Sequence, residues 1–255
     1  MDYVSVEEAR DKPGLKLVLT AGVPGPWGEA AKAILHVKGL PYLPVRQDAG
    51  QENAELRAWT GRDNAPIAIC EGEPARDGWA DILALAERLA PEPRLVPEEP
   101  TESARMFGLA HLICGPGGFA WERRVGMLAP VLALGDRVPE GVRRMASKYG
   151  SSAEAAEGSA RRVAAILRHL AGELEAQRDR GSRYFVGSAL TAVDLYWATF
   201  AALLEPLPAD QCPMPEGLRG SYQLSDPAVR DPRDAVLLEH RDLIYAEHLT
   251  LPLDF

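Results

Sequence analysis

Apolar positions change period partway along the chain. Between residues 15 and 90 short apolar runs alternate with amphipathic stretches. LKLVLT (15–20) is a buried strand bounded by glycine. From Trp27 to Val37 apolar residues recur at Ala30, Ala33, Ile34 and Val37, a helical spacing that Gly39 stops. YLPVRQ (42–47) reads as a second strand, and Pro44 assigns it to an edge. ENAELRAWTG (52–61) predicts a short helix or an irregular segment, PIAIC (66–70) a third strand, and EGEP (71–74) a turn. DILALAERLA (81–90) predicts a helix burying Ile82, Leu85, Ala86 and Leu89. Alternating elements of this kind imply a mixed sheet with helices on its faces.

PEPRLVPEEP (91–100) packs four prolines and three acids into ten residues and reads as a linker. Helical periods then dominate, over 103–114, 119–134, 153–181, 190–207 and 233–249, while the proline- and glycine-rich residues 208–232 read as irregular. The expected organisation is an α/β domain over 15–90, a linker over 91–101, and an all-helical domain with an extended tail over 102–255.

Charge narrows the function classes. Lys and Arg number 28 against 37 Asp and Glu, a net charge of −9. An acidic surface repels phosphate backbones and anionic lipid, so neither nucleic acid nor a membrane is an expected partner. No apolar run approaches the ~20 residues of a membrane helix, and the polar N-terminus does not resemble a secretory signal. Cys70, Cys114 and Cys212 lack metal-ligand spacing and read as buried reduced thiols of a cytoplasmic protein. The five histidines show no metal pattern, and His240 and His248 read as surface or interface residues.

Two local signatures carry a resemblance. Asn64-Ala65-Pro66 opens the third predicted strand, and SALTAVDLYWA (188–198) holds a capping box, Thr191 with Asp194, flanked by Leu190 and Leu195. With the α/β half, the proline linker and the helical half, these resemble the cytosolic glutathione transferase superfamily. The resemblance implies a thioredoxin-like N-terminal domain, a helical-bundle C-terminal domain and a homodimer. It also implies a cis Pro66 whose preceding backbone holds glutathione as an added strand, and a structural, non-catalytic Asp194.

The same resemblance locates a site and exposes its departures. Aligned through Pro26, the positions that carry a serine or cysteine in other members are Gly25 and Gly28, and Thr20 is the nearest hydroxyl. The acidic and hydroxyl pair that receives the γ-glutamyl end falls at Gly78 and Trp79, with Asp77 one place early. The ligand side is therefore expected at Gly25, Pro26, Trp27, Asn64, Ala65, Pro66, Asp77, Gly78 and Trp79, and the hydrophobic-substrate side at Trp121 and Arg124. Thr20 is the weak catalytic candidate. Two functions follow: a transferase or lyase joining or cleaving a hydrophobic electrophile with glutathione as cofactor, or a non-catalytic ligand-binding or structural protein that keeps the fold without the thiol-activating residue.

Overall fold

The computed structural model describes residues 1–231 and 233–255. The chain forms two compact units. The first comprises Met1–Arg94, Pro208–Met214 and His248–Phe255, and the second Leu95–Leu207 and Pro215–Glu247.

The first unit is a thioredoxin-like α/β unit. Its sheet has the order β2-β1-β3, with β1 (Lys16–Thr20) central, parallel to β2 (Leu43–Gln47) and antiparallel to β3 (Ile67–Ile69). Side chains alternate across a strand. Val18 therefore packs with Val45, Leu56, Ile67 and Ile69 on one face, while Leu17 and Leu19 turn to the other. That second face meets α2 (Pro26–Val37), which packs with α4 (Trp79–Leu89). The first face is covered by α1 (Val6–Arg10) and α3 (Ala54–Thr60), with Val6 and Ala9 in the core. Pro44 does lie on an edge strand, and its carbonyl accepts from the Val4 N–H at 3.0 Å.

Two features depart from the sequence reading. The unit begins at Met1 and not at residue 15, because Ser5 and Glu8 form a capping box that starts α1 and Val4 bridges to Val45. The C-terminal tail belongs to this first unit, where the sequence reading assigns it to the helical domain over 102–255. The Leu253 N–H donates to the Gln211 carbonyl at 2.8 Å, and Lys32 Nζ to the Asp254 carbonyl at 2.6 Å. Those bonds hold the tail's backbone to the first unit.

The second unit is helical: α5 (Pro100–Cys114), α6 (Phe119–Leu132), α7 (Glu140–Tyr149), α8 (Ala153–Asp179), α9 (Ala192–Phe200), α10 (Glu216–Tyr222) and α11 (Asp234–His248). α6 packs on α8 and α7, and α5 on α9. Helix α10 falls in a stretch read as irregular; its seven residues lie between prolines and are too short to establish a helical period. α9 is buried at every residue, so water cannot satisfy its first N–H groups. Asp194 does so: its carboxylate accepts from the Thr191 N–H (2.9 Å) and hydroxyl (2.8 Å) and from the Phe185 N–H (2.9 Å). His240 Nε2 lies 2.9 Å from the same carboxylate and is 1% exposed, so His240 is a core residue of α11 and not a surface one. Among the cysteines, Cys114 and Cys212 are buried, whereas Cys70 is only half-buried. Burial pushes the Cys114 thiol well above its ordinary range, which leaves it protonated and unreactive.

Candidate functional site

Strand register gathers the first unit's candidates at one end of the sheet. β1 ends at Thr20 beside Gln47, and antiparallel pairing sets Ile67 opposite Val18. Residues 64–66 therefore enter β3 at the same end where β1 leaves for α2. The Ala65–Pro66 peptide is cis.

The Thr20 hydroxyl is engaged at the end of β1. It donates to Gln47 Oε1 at 2.7 Å, and the Gln47 amide donates onward to the carbonyls of Asp48 (3.1 Å) and Asp63 (3.4 Å). The chain of bonds ties the ends of β1 and β2 to the segment ahead of Asn64, and the Thr20 proton is committed within it. Gln47 is the residue that sequence reading misses; the polar end of an otherwise apolar strand is its only signal.

Gly25 caps α2 with φ −65° and ψ 126°, a conformation open to any residue, and offers no side chain to the helix start. Pro26 occupies the first turn, where its missing N–H costs nothing. A Cβ at Gly25 would meet nothing within 4 Å, whereas at Gly28 it would lie 3.2 Å from Leu19 Cδ2. The two glycines thus differ: Gly28 permits close packing of helix on strand, and Gly25 leaves space. Trp27 follows half-buried. What α2 presents at this end is the positive end of a backbone dipole.

Asp77, Gly78 and Trp79 lead into α4, where Gly78 is the N-cap and again lends no side chain. Asp77 is held by Arg62, whose Nε donates to Oδ2 at 3.0 Å, so the carboxylate offered for an ammonium group already has a cationic partner. The bond is partly exposed and of small net strength, so a ligand ammonium can compete for it.

In the second unit Trp121 and Arg124 lie three residues apart on α6, on one side of the helix. The Trp121 indole N–H donates to the Tyr149 carbonyl at 3.1 Å, and the two rings meet edge-on with centroids 4.8 Å apart. Arg124 Nη2 donates to the Tyr222 hydroxyl at 3.2 Å, with the guanidinium 5.1 Å from that ring's centroid. No group of three or more His, Cys, Asp or Glu among the described residues is arranged to hold a metal. Nor is any described helix long and apolar enough to cross a membrane.

No protein-family profile matches the sequence, and no curated protein matches it. Solved structures do. The β-etherase LigF from Sphingobium sp. strain SYK-6 superposes with TM-score 0.65 at 19% identity, over 92% of this chain and 96% of that one. A glutathione S-transferase domain-containing protein from Marinobacter aquaeolei VT8 gives TM-score 0.63 at 15% identity, over 91% and 98%. A glutathione S-transferase from Methylobacillus flagellatus KT, solved with glutathione bound, gives 0.60 at 14% identity, over 91% and 94%. From the thioredoxin-like sheet through the helical half, the chain has the fold of the glutathione S-transferases.

Proposed function

We propose that the protein binds glutathione through the first unit and uses it to conjugate or cleave a hydrophobic electrophile. The observation that carries this reading is the fold shared with a glutathione-bound glutathione S-transferase structure over nine-tenths of both chains. Residues 64–66 and the Gly25–Trp27 turn cluster at one end of the sheet, as a peptide added along β3 and reaching α2 requires. Asp77 exchanges its bond to Arg62 for the ligand's ammonium. Because the Thr20 hydroxyl is committed to Gln47, the thiolate is steadied by the N-terminal end of α2 alone. Trp121 and Arg124 serve the electrophile. On the same reading the protein is a cytoplasmic homodimer.

A second reading has its own support: Gly25 and Gly78 cap their helices with no side chain, which fits a protein that binds a ligand without activating a thiol. One variant separates the two. Gly25→Ser fits the open space and the backbone conformation, and serine is a good N-cap, so folding is expected to be unchanged or slightly improved. Calorimetry with glutathione and S-hexylglutathione should show binding to both proteins. If the wild type turns over an aryl halide with glutathione, the first reading stands. Turnover only in Gly25→Ser supports the second, and absence of binding to either protein removes both.

A further inference from the structure

Two adjacent arginines of α6 lie in a half-buried setting of the second unit, and neither pairs with a carboxylate among the described residues. This is unusual in a chain with an excess of acids, and two more deeply buried cations are paired: Lys38 with Glu87 and Arg241 with Asp242. The neighbouring acid, Glu122, is engaged by Arg162 at 2.7 Å. Arg123 and Arg124 therefore hold two like charges side by side. Burial and the nearby Arg124 push the Arg123 guanidinium down to about 10.

The two have different roles. Arg123 donates to the Leu203 carbonyl at 2.9 Å and the Tyr222 carbonyl at 3.1 Å. Leu203 closes the 3-10 turn after α9 and Tyr222 ends α10, so the guanidinium sits at two negative helix ends. That accounts for Arg123 as a structural tether. Arg124 has no such explanation. A guanidinium carries five N–H donors, and Arg124 has one hydrogen bond, to a neutral phenol, and one aromatic face. The Tyr222 hydroxyl, fully buried, accepts that bond, and its own proton has no acceptor among the described residues. The phenol of Tyr149 is close enough for Arg124 and Tyr222 to act on its ionisation. Trp121, edge-on to Tyr149, supplies an aromatic flank.

We propose that Arg124 and the Tyr222 hydroxyl form an anion-recognition site, flanked by Trp121 and Tyr149, that takes the carboxylate of an aromatic acid. The carboxylate accepts from the Arg124 fork and from the Tyr222 O–H, while the ligand ring lies against the aromatic flank. The inference rests on the proposed function for the ligand's role as substrate, whereas the binding is measured without glutathione.

The probes are benzoate, its neutral counterpart benzamide, and acetate, titrated calorimetrically into the full chain at low ionic strength. Benzoate is expected to bind more tightly than either. Arg124→Met should weaken benzoate at least about 10-fold, and Tyr222→Phe, which keeps the ring and the packing, about 3- to 10-fold. Tyr222→Phe should leave the binding of glutathione itself unchanged, because the first unit is proposed to hold it. If benzoate binds no better than benzamide, or if Tyr222→Phe binds it as the wild type does, Arg124 is a packing residue and the proposal fails. If acetate matches benzoate, the aromatic part of the proposal fails. Loss of S-hexylglutathione binding by the wild type, with benzoate binding intact, would instead remove the proposed function and leave this site standing.

Discussion

At the scale of single residues, the structure separates side chains by what their polar atoms already do. Thr20 and Asp77 read from the sequence as available groups; one donates to Gln47 and the other accepts from Arg62. Neither partnership is visible in the sequence, because Gln47 lies 27 residues from Thr20 and Arg62 lies 15 from Asp77, and both are met only through strand register and loop closure. Glu29 is a similar case with an energetic consequence. It is 7% exposed on α2, and Lys32 Nζ donates to both of its oxygens at 3.0 Å. Burial nevertheless holds its carboxyl above the ordinary range, with Lys32 opposing and Asp254 reinforcing the shift. A raised folded pKa means that the folded chain binds this proton more tightly than the unfolded chain. The stability it contributes is therefore present below the unfolded pKa and lost as pH rises through the folded one. Glu29→Gln removes the ionisation, and Lys32 keeps its bond to the Asp254 carbonyl. The variant is expected to melt above the wild type near neutral pH, by roughly a few degrees, with the gap closing below pH ~4. A variant less stable at neutral pH would show that the Lys32 ion pair outweighs desolvation.

At the scale of elements, what was legible followed from periodicity and caps. The strands and the helices α2, α4 to α6, α8, α9 and α11 carry enough apolar repeats to reveal themselves. Helix α1 is a single turn, yet Ser5 and Glu8 repeat the device that marks α9, so its start was readable where its period was not. Helix α7, with half of its residues exposed and only Ala146 buried, carries too few apolar positions to mark a face. The cap of α9 illustrates how a local motif acquires a long-range function. Asp194 was readable as a cap residue for Thr191, three positions away; its bonds to Phe185 and to His240, 46 positions on, were not. One fully buried carboxylate thus fixes the start of α9, the preceding loop and α11. Asp194→Ala leaves the Phe185 and Thr191 N–H groups and the Thr191 hydroxyl without their acceptor and the buried His240 ring without its partner, and a loss of roughly 3–5 kcal/mol is expected. Thr191→Ala removes one hydroxyl donor and should cost only about 1 kcal/mol. Denaturant unfolding of both variants measures the difference. Comparable losses would mean that the capping box alone, without the His240 and Phe185 bonds, accounts for the contribution of Asp194.

At the scale of the whole molecule, sequence order and spatial order part company. A linker rich in proline marks the first boundary near residue 95, where Leu95 is buried and its carbonyl accepts from the Ala192 N–H. The prolines around 208–214 mark a break without saying which unit the chain joins, and the crossing at His248, the last residue of α11, carries no proline signal. Residues 208–214 and 248–255 return to the first unit, although both follow helical segments of the second. An alternating apolar tail announces that it will dock, but its pattern says nothing about the surface it will meet. Backbone geometry decides that: Leu253 pairs with Gln211, and the Asp254 carbonyl receives Lys32 of α2. Leu251, Leu253 and Phe255 are each half-buried, so together they contribute on the order of 1–3 kcal/mol. Lys32 also holds the buried Glu29, so removing the tail loosens the cation that offsets a desolvated carboxylate at the start of α2. Deletion of residues 250–255 is therefore expected to lower the melting temperature by several degrees and to weaken S-hexylglutathione binding, since α2 carries the Gly25–Trp27 turn. Benzoate binding to the second unit should be unaffected. Calorimetric melting and the two titrations, run on the truncated chain, test all three. A melting curve that does not move would show that the tail adds nothing to the first unit, and loss of benzoate binding would show that the truncation disturbs the helical unit as well.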